Sequence, residues 1–118
     1  MRVENTPQYP YAITLGAINN HDEDIADVGR NIANDCKKAG IHWNFTPVAD
    51  INNNPENPVI GYRSFGSDKH NVANKAVALA KGLQSNGILT SAKHFPGHGD
   101  TATDSHLGLP LINKSKEE

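Results

Sequence analysis

The sequence predicts an α/β fold with parallel strands, and three observations carry that prediction. Two stretches place apolar residues three and four apart, the period of a helix that buries one face. Each stretch stops at a glycine, and an apolar, strand-like run follows each glycine directly. The segments after those runs are long and polar, whereas the glycine junctions are minimal.

The first helix is expected from Asp22 to Ala39, with Ile25, Val28, Ile32, Ala33, Cys36 and Ala39 inward. Asp22, Glu23 and Asp24 open it and Lys37 and Lys38 close it, the charge order that the helix dipole favours. Gly40 is placed to cap it in a left-handed conformation. The second helix is expected from about Asp68 to Ser85, with Val72, Ala76, Val77, Ala80 and Leu83 inward and Gly87 as its stop. The strand-like runs are Ile41–Phe45 and Ile88–Ala92, and a further one, Tyr11–Leu15, precedes the first helix. Strand, helix, strand, helix, strand is an order that right-handed crossovers join into a parallel sheet.

Length and composition set the bounds. A chain of 118 residues ordinarily supports one domain with a modest core. With 36% hydrophobic and 20% charged residues it has the composition of neither a disordered chain nor a membrane span. No apolar run approaches the roughly 20 residues that cross a bilayer. A net charge of −2 with scattered lysines argues against nucleic acid, which selects for a basic face. Cys36 is the single cysteine, so no internal disulfide forms. The first residues, MRVENTPQYP, lack the apolar stretch of a signal peptide.

In parallel α/β folds the chemistry follows the C-terminal ends of strands. After Phe45 comes TPVADINNNPENPVIGYRSFGSD, expected to be ordered by its anchors Val59, Ile60, Tyr62 and Phe65. After Ala92 comes KHFPGHGDTATDSH, with three of the chain's six histidines. Metal binding is the weaker reading of that loop, because His94 and His98 share a face only on a helix, and Pro96 and Gly97 forbid one. His21, His42 and His70 read as ordinary solvated or hydrogen-bonded side chains. An acid/base loop is the better reading. A histidine exchanges protons near neutral pH, and a carboxylate on its second nitrogen fixes the tautomer. Asp104 and His106 are two apart, so in extended backbone they leave the chain on one side. Gly97 and Gly99 are expected to let the loop swing over a substrate. Asp50 ends a strand-like run and is a candidate to support the pocket, or a carboxylate that caps a loop.

KHFPGHGDTATDSHLGLP and FTPVADINNNPENPVIGYRSFG together resemble glycoside hydrolase family 3, in the branch of bacterial β-N-acetylhexosaminidases. The likeness runs over most of the chain from Val48 onward. It implies a partial (β/α)8 TIM barrel of about three parallel strands and two helices, residues 1–118 being a fragment with no complete domain. It implies removal of β-linked sugars from non-reducing ends with retention, and a substrate whose terminal β-linked sugar is N-acetylglucosamine. It assigns His106 as proton donor with Asp104 as its partner. It assigns sugar contacts to Lys93, His94, Arg63 and Arg2, and the pocket that they form is the one Asp50 is placed to support. It implies neither cofactor nor metal. The family's nucleophile is an aspartate on a later strand, and Asp22, Asp24, Asp27 and Asp100 do not substitute for it. The chain by itself is therefore expected to be inactive and, with sheet edges exposed, to self-associate. A sugar phosphorylase of the same family and a non-catalytic carbohydrate-binding module are the alternatives, the second disfavoured by an aromatic content of 6%. Compartment stays open between bacterial cytoplasm, periplasm and cell envelope.

Overall fold

The computed structural model describes residues 4–112, 114 and 115. Helix α1 (Ala12–Gly16) is followed by α2 (Asp22–Lys38), strand β1 (Trp43–Asn44), a 3-10 turn (Gly61–Arg63), α3 (Lys69–Gln84) and β2 (Leu89–Thr90). The two strands pair in parallel, Trp43 with Leu89 and Asn44 with Thr90. This is an α/β chain, and among the described residues the parallel sheet has two strands where three were expected.

The missing strand is Tyr11–Leu15, which is helical instead. Leu15 N donates to the Tyr11 carbonyl at 3.1 Å, and α1 buries Leu15 and Gly16. Five apolar residues carry too few periods to separate strand from helix, and tertiary packing decides. Here Gly16 lets the helix pack closely. A Cβ there would stand 1.7 Å from the Phe65 carbonyl oxygen, so the α1 backbone seats directly on the long loop. Asn71 Nδ2 then donates to the Gly16 carbonyl at 3.0 Å, which satisfies a helix end.

Helices α2 and α3 lie against each other and form the core with Ile25, Ala33, Cys36, Val72, Leu79, Leu83 and Ile88. Close approach is permitted at Gly82, where a Cβ would meet the Ala26 carbonyl oxygen at 2.1 Å. Each helix ends in the same two bonds: Gly40 N to Lys37 O and Ile41 N to Cys36 O, then Gly87 N to Gln84 O and Ile88 N to Leu83 O. Gly40 (φ 71°) and Gly87 (φ 77°) take the left-handed cap that this pattern requires. Two inward assignments fail. Ala39 is exposed, and Val77 is 52% exposed because it lies five residues on from Val72, off the stripe. Lys75, Ala78 and Leu79 are buried instead, with Lys75 Nζ donating to Asp22 Oδ1 at 2.9 Å.

Beyond β1 and β2 the pairing continues to a bridge between Val48 and Lys93. Four positions separate Asn44 from Val48, but only three separate Thr90 from Lys93. The first strand therefore carries one extra residue, a bulge, in the stretch that contains Pro47. The slip brings the residues after Val48 alongside the start of the histidine-rich loop.

The long loop is ordered as expected. Ile60 and Phe65 are buried, Val59 is half-buried, and the exposed Tyr62 ring packs on Tyr11 with centroids 4.7 Å apart. No helix among the described residues is long and apolar enough to cross a membrane.

Candidate functional site

The bulge sets Asp50 beside His94, residues 44 positions apart in the chain. Asp50 Oδ2 accepts from the His94 amide at 2.9 Å and from its ring Nδ1 at 2.7 Å. Asp50 Oδ1 accepts from the His98 amide at 2.6 Å. A carboxylate has no proton to give, so Nδ1 of His94 carries the hydrogen and Nε2 is left for other work. The Asp50 side chain is 1% exposed, and three N–H donors answer the burial of its charge.

The scaffold behind this clamp joins the two loops. Ser64 Oγ donates to the Asp50 carbonyl at 2.6 Å. Asn57, itself buried, donates through Nδ2 to the His98 carbonyl at 2.6 Å, and its Oδ1 accepts the amides of Val59 and Ile60. Asn54 Nδ2 reaches the Asp100 carbonyl. The crowding of asparagine in the long loop thus supplies side-chain amides that satisfy buried backbone. Neither Asn57 nor the partnership of Asp50 with His98 was picked out from the sequence.

Lys93 and Arg63 meet at the same edge. Burial and the neighbouring Arg63 guanidinium both pull the Lys93 ammonium below its usual range, burial the more strongly. Arg63 is steadied by its Nη1, which donates to the Val59 carbonyl at 3.1 Å. Asp50, Lys93 and His94 line an open cleft of about 780 Å³, and Arg63, Asp104 and His106 are not among its lining residues.

The second histidine pair forms by a different route. Asp104 Oδ1 accepts from the His106 amide at 2.9 Å and from its ring Nδ1 at 2.8 Å. The backbone is a turn, not the extended chain expected, with Leu107 N and Gly108 N both donating to the Asp104 carbonyl. Those bonds to Asp104, first from the His106 amide and then from its ring, hold the carboxyl below the usual carboxylate range. The His106 ring is 84% exposed. It stands free of the Asp50 clamp, and its Nε2 is again the unengaged nitrogen.

The expected swing at Gly99 is corrected by the packing. Gly99 is buried, and a Cβ there would stand 1.8 Å from the Ile51 carbonyl oxygen, so it is a close contact and not a hinge. Gly97 (φ 137°) has open space around it. Arg2 lies outside the described residues. Among the described residues no three histidine, cysteine or acidic side chains stand together as a metal-holding group. What the arrangement offers is one carboxylate-backed imidazole, His94, at a cleft with Lys93, and a second, His106, exposed outside that cleft's lining. Such a set can donate hydrogen bonds to hydroxyls and pass a proton.

The chain is similar to known proteins over nearly its whole length. A β-hexosaminidase from Neisseria meningitidis is 41% identical over 98% of the chain, which spans 34% of that protein's length. A fungal multi-domain GH3 β-N-acetylglucosaminidase superposes with a TM-score of 0.90 at 47% identity, over 94% of this chain and 13% of that one. NagZ from Neisseria gonorrhoeae, solved in complex with N-trifluoroacetyl-D-glucosamine, gives a TM-score of 0.85 at 38% identity, over 98% of this chain and 35% of that one. The chain therefore spans about a third or less of the length of these relatives. The model of the glycosyl hydrolase family 3 N terminal domain matches residues 1–118, and the chain belongs to that family.

Proposed function

We propose that residues 1–118 form part of a (β/α)8 barrel in a retaining glycosidase that removes β-linked N-acetylglucosamine from non-reducing ends. The observation that carries this reading is the Asp104–His106 pair: Nδ1 bonded to a carboxylate, Nε2 free, at the end of the loop that opens with Lys93 and His94. Relatives that are glycoside hydrolases of this family, and a relative holding a glucosamine derivative, support it.

In this mechanism His106 Nε2 gives its proton to the glycosidic oxygen as the bond from C1 breaks. An aspartate carboxylate on a later strand bonds to C1, forming the glycosyl-enzyme. His106 Nε2 then takes a proton from water, the water oxygen bonds to C1, and the aspartate leaves. Asp104 stabilises the imidazolium form that His106 must visit. Lys93, His94, Arg63 and Arg2 hold sugar hydroxyls, while Asp50 acts by holding His94, since both its oxygens are taken. Asp22, Asp24 and Asp27 belong to α2, and Lys114 engages Asp100, whose carboxyl it draws below the usual range. None replaces the nucleophile, so residues 1–118 alone turn over no substrate. Trp43, Phe45 and Leu89 are exposed together on the strand pair, and the isolated chain self-associates through them; light scattering showing a monomer contradicts that.

The test is hydrolysis of unactivated N-acetylglucosamine disaccharide by the intact protein, with and without His106→Ala. Loss of about 10²- to 10⁴-fold in kcat is expected, the usual worth of a general acid. An undiminished rate refutes the assignment. Sugar 1-phosphate formed on adding phosphate would make the enzyme a phosphorylase, and calorimetric binding of N-acetylglucosamine without turnover would make it a binding module.

A further inference from the structure

One buried group has no place in that chemistry. His98 is 7% exposed, and among the described residues its Nε2 is the buried side-chain atom left without a hydrogen-bond partner. A packed core does not keep an unpaired nitrogen where a leucine or phenylalanine would fill the same space without the desolvation cost. The ring's other nitrogen must therefore supply something that hydrocarbon cannot.

That nitrogen meets Thr101, also buried. Thr101 Oγ1 lies 2.6 Å from His98 Nδ1 and donates to the His98 carbonyl oxygen at 3.0 Å. With the hydroxyl hydrogen on the carbonyl, Thr101 Oγ1 is an acceptor towards the ring, the arrangement in which Nδ1 carries the proton and Nε2 a lone pair. Both ends of this unit are tethered. The His98 amide donates to Asp50 Oδ1, and its ring stands edge-on to the His94 ring with centroids 5.8 Å apart. Thr101 lies three residues before Asp104.

We propose that His98 is a positioning residue: its Nδ1–H to Thr101 fixes the start of the loop that carries Asp104 and His106 against the Asp50–His94 clamp. His98 touches neither sugar nor reacting atom. It sets how the proton donor approaches a sugar held at Lys93 and His94. This rests on the proposed glycosidase reading.

The experiment uses Thr101→Val, Thr101→Ser and His98→Phe in the intact protein, each assayed on two substrates. An unactivated N-acetylglucosamine disaccharide needs the general acid, whereas a nitrophenyl glycoside has a leaving group that departs without a proton. Thr101→Val and His98→Phe are each expected to lower kcat on the disaccharide by about tenfold or more, with KM and the nitrophenyl rate nearly unchanged. Thr101→Ser, which keeps the hydroxyl, restores the disaccharide rate. Equal loss on both substrates marks a merely structural ring and overturns the proposal. So does an effect confined to KM in His98→Phe with Thr101→Val silent, which marks a direct sugar contact. Nitrogen-15 spectra of the wild-type imidazoles give a second arm that needs no activity. Protonated Nδ1 on His98, together with displaced Asp104 and His106 amide signals in Thr101→Val, supports the proposal, and protonated Nε2 or unmoved amides overturns it. If the intact wild type cleaves neither substrate, the glycosidase reading fails and these spectra still decide the role of His98.

Discussion

The chain builds one motif twice. At Asp50–His94 and again at Asp104–His106, a single carboxylate oxygen accepts both the amide and the ring Nδ1 of one histidine. The hydrogen-bond lengths are nearly the same, and the surroundings are not. The Asp50 side chain is buried and holds a third donor, the His98 amide, so it ties two loops together. Asp104 reaches only two residues along its own loop, and its histidine stands in solvent. Identical local bonds therefore serve two ends. The buried clamp is rigid and suits holding a ligand group in place, while the exposed clamp is local and suits a group that must approach and exchange protons.

Removing each carboxylate in turn gives the largest expected contrast. Asp50→Ala in the intact protein removes a side chain that is 1% exposed and leaves its three N–H donors without that acceptor, at about 1–3 kcal/mol for each that stays unpaired. A loss of roughly 3 kcal/mol or more is expected, a large share of the 5–15 kcal/mol that stabilises a typical domain. Asp104→Ala removes bonds that water replaces, and its unfolding midpoint is expected to stay near that of the wild type. Urea unfolding of both variants checks this, and equal shifts would remove the distinction between the clamps.

That contrast also explains what the sequence disclosed. The α2 and α3 assignments needed only apolar spacing and end charges within the segment, so their bounds came out within a residue or two. Asp104–His106 was legible because its partners are two apart, even though the expected extended backbone proved to be a turn. Asp50 with His94, and Asn57 with His98, are bonds across more than forty residues, set by a parallel register and a bulge that no local pattern announces. Tyr11–Leu15 failed for the converse reason. It packs through Gly16 against Phe65, a contact invisible in a five-residue apolar run.

A smaller effect lies between the clamps, at Lys93. Its ammonium is held below the usual lysine range by burial first and by Arg63 second. A lysine with a lowered folded pKa binds its proton less tightly in the native state than in the unfolded chain. Stability from this group therefore rises with pH between the lowered value and the ordinary one near about 10.4. Lys93→Met is expected to flatten that alkaline rise in unfolding midpoints. Arg63→Met is expected to weaken it only in part, because burial remains. A rise abolished outright by Arg63→Met would make the guanidinium, not burial, the main cause.

The smallest expected effect tests the exposed clamp directly. Asp104 titrates below an ordinary aspartate because the His106 amide, and then the His106 ring, donate to its carboxylate. The sign follows from the preference of those donors for the charged form. The bonded carboxylate favours the folded loop above the ordinary aspartate range, and that preference fades as pH falls through the lowered value. His106→Ala removes the ring but leaves the amide, which is the larger cause. Carbon-13 titration of Asp104 is therefore expected to move only part of the way back towards an ordinary aspartate. A full return at Asp104 would mean that the ring, and not the turn, organises the pair. The histidine would then orient the aspartate that is assigned to orient it, and the division between a clamp that holds and a clamp that acts would lose its basis.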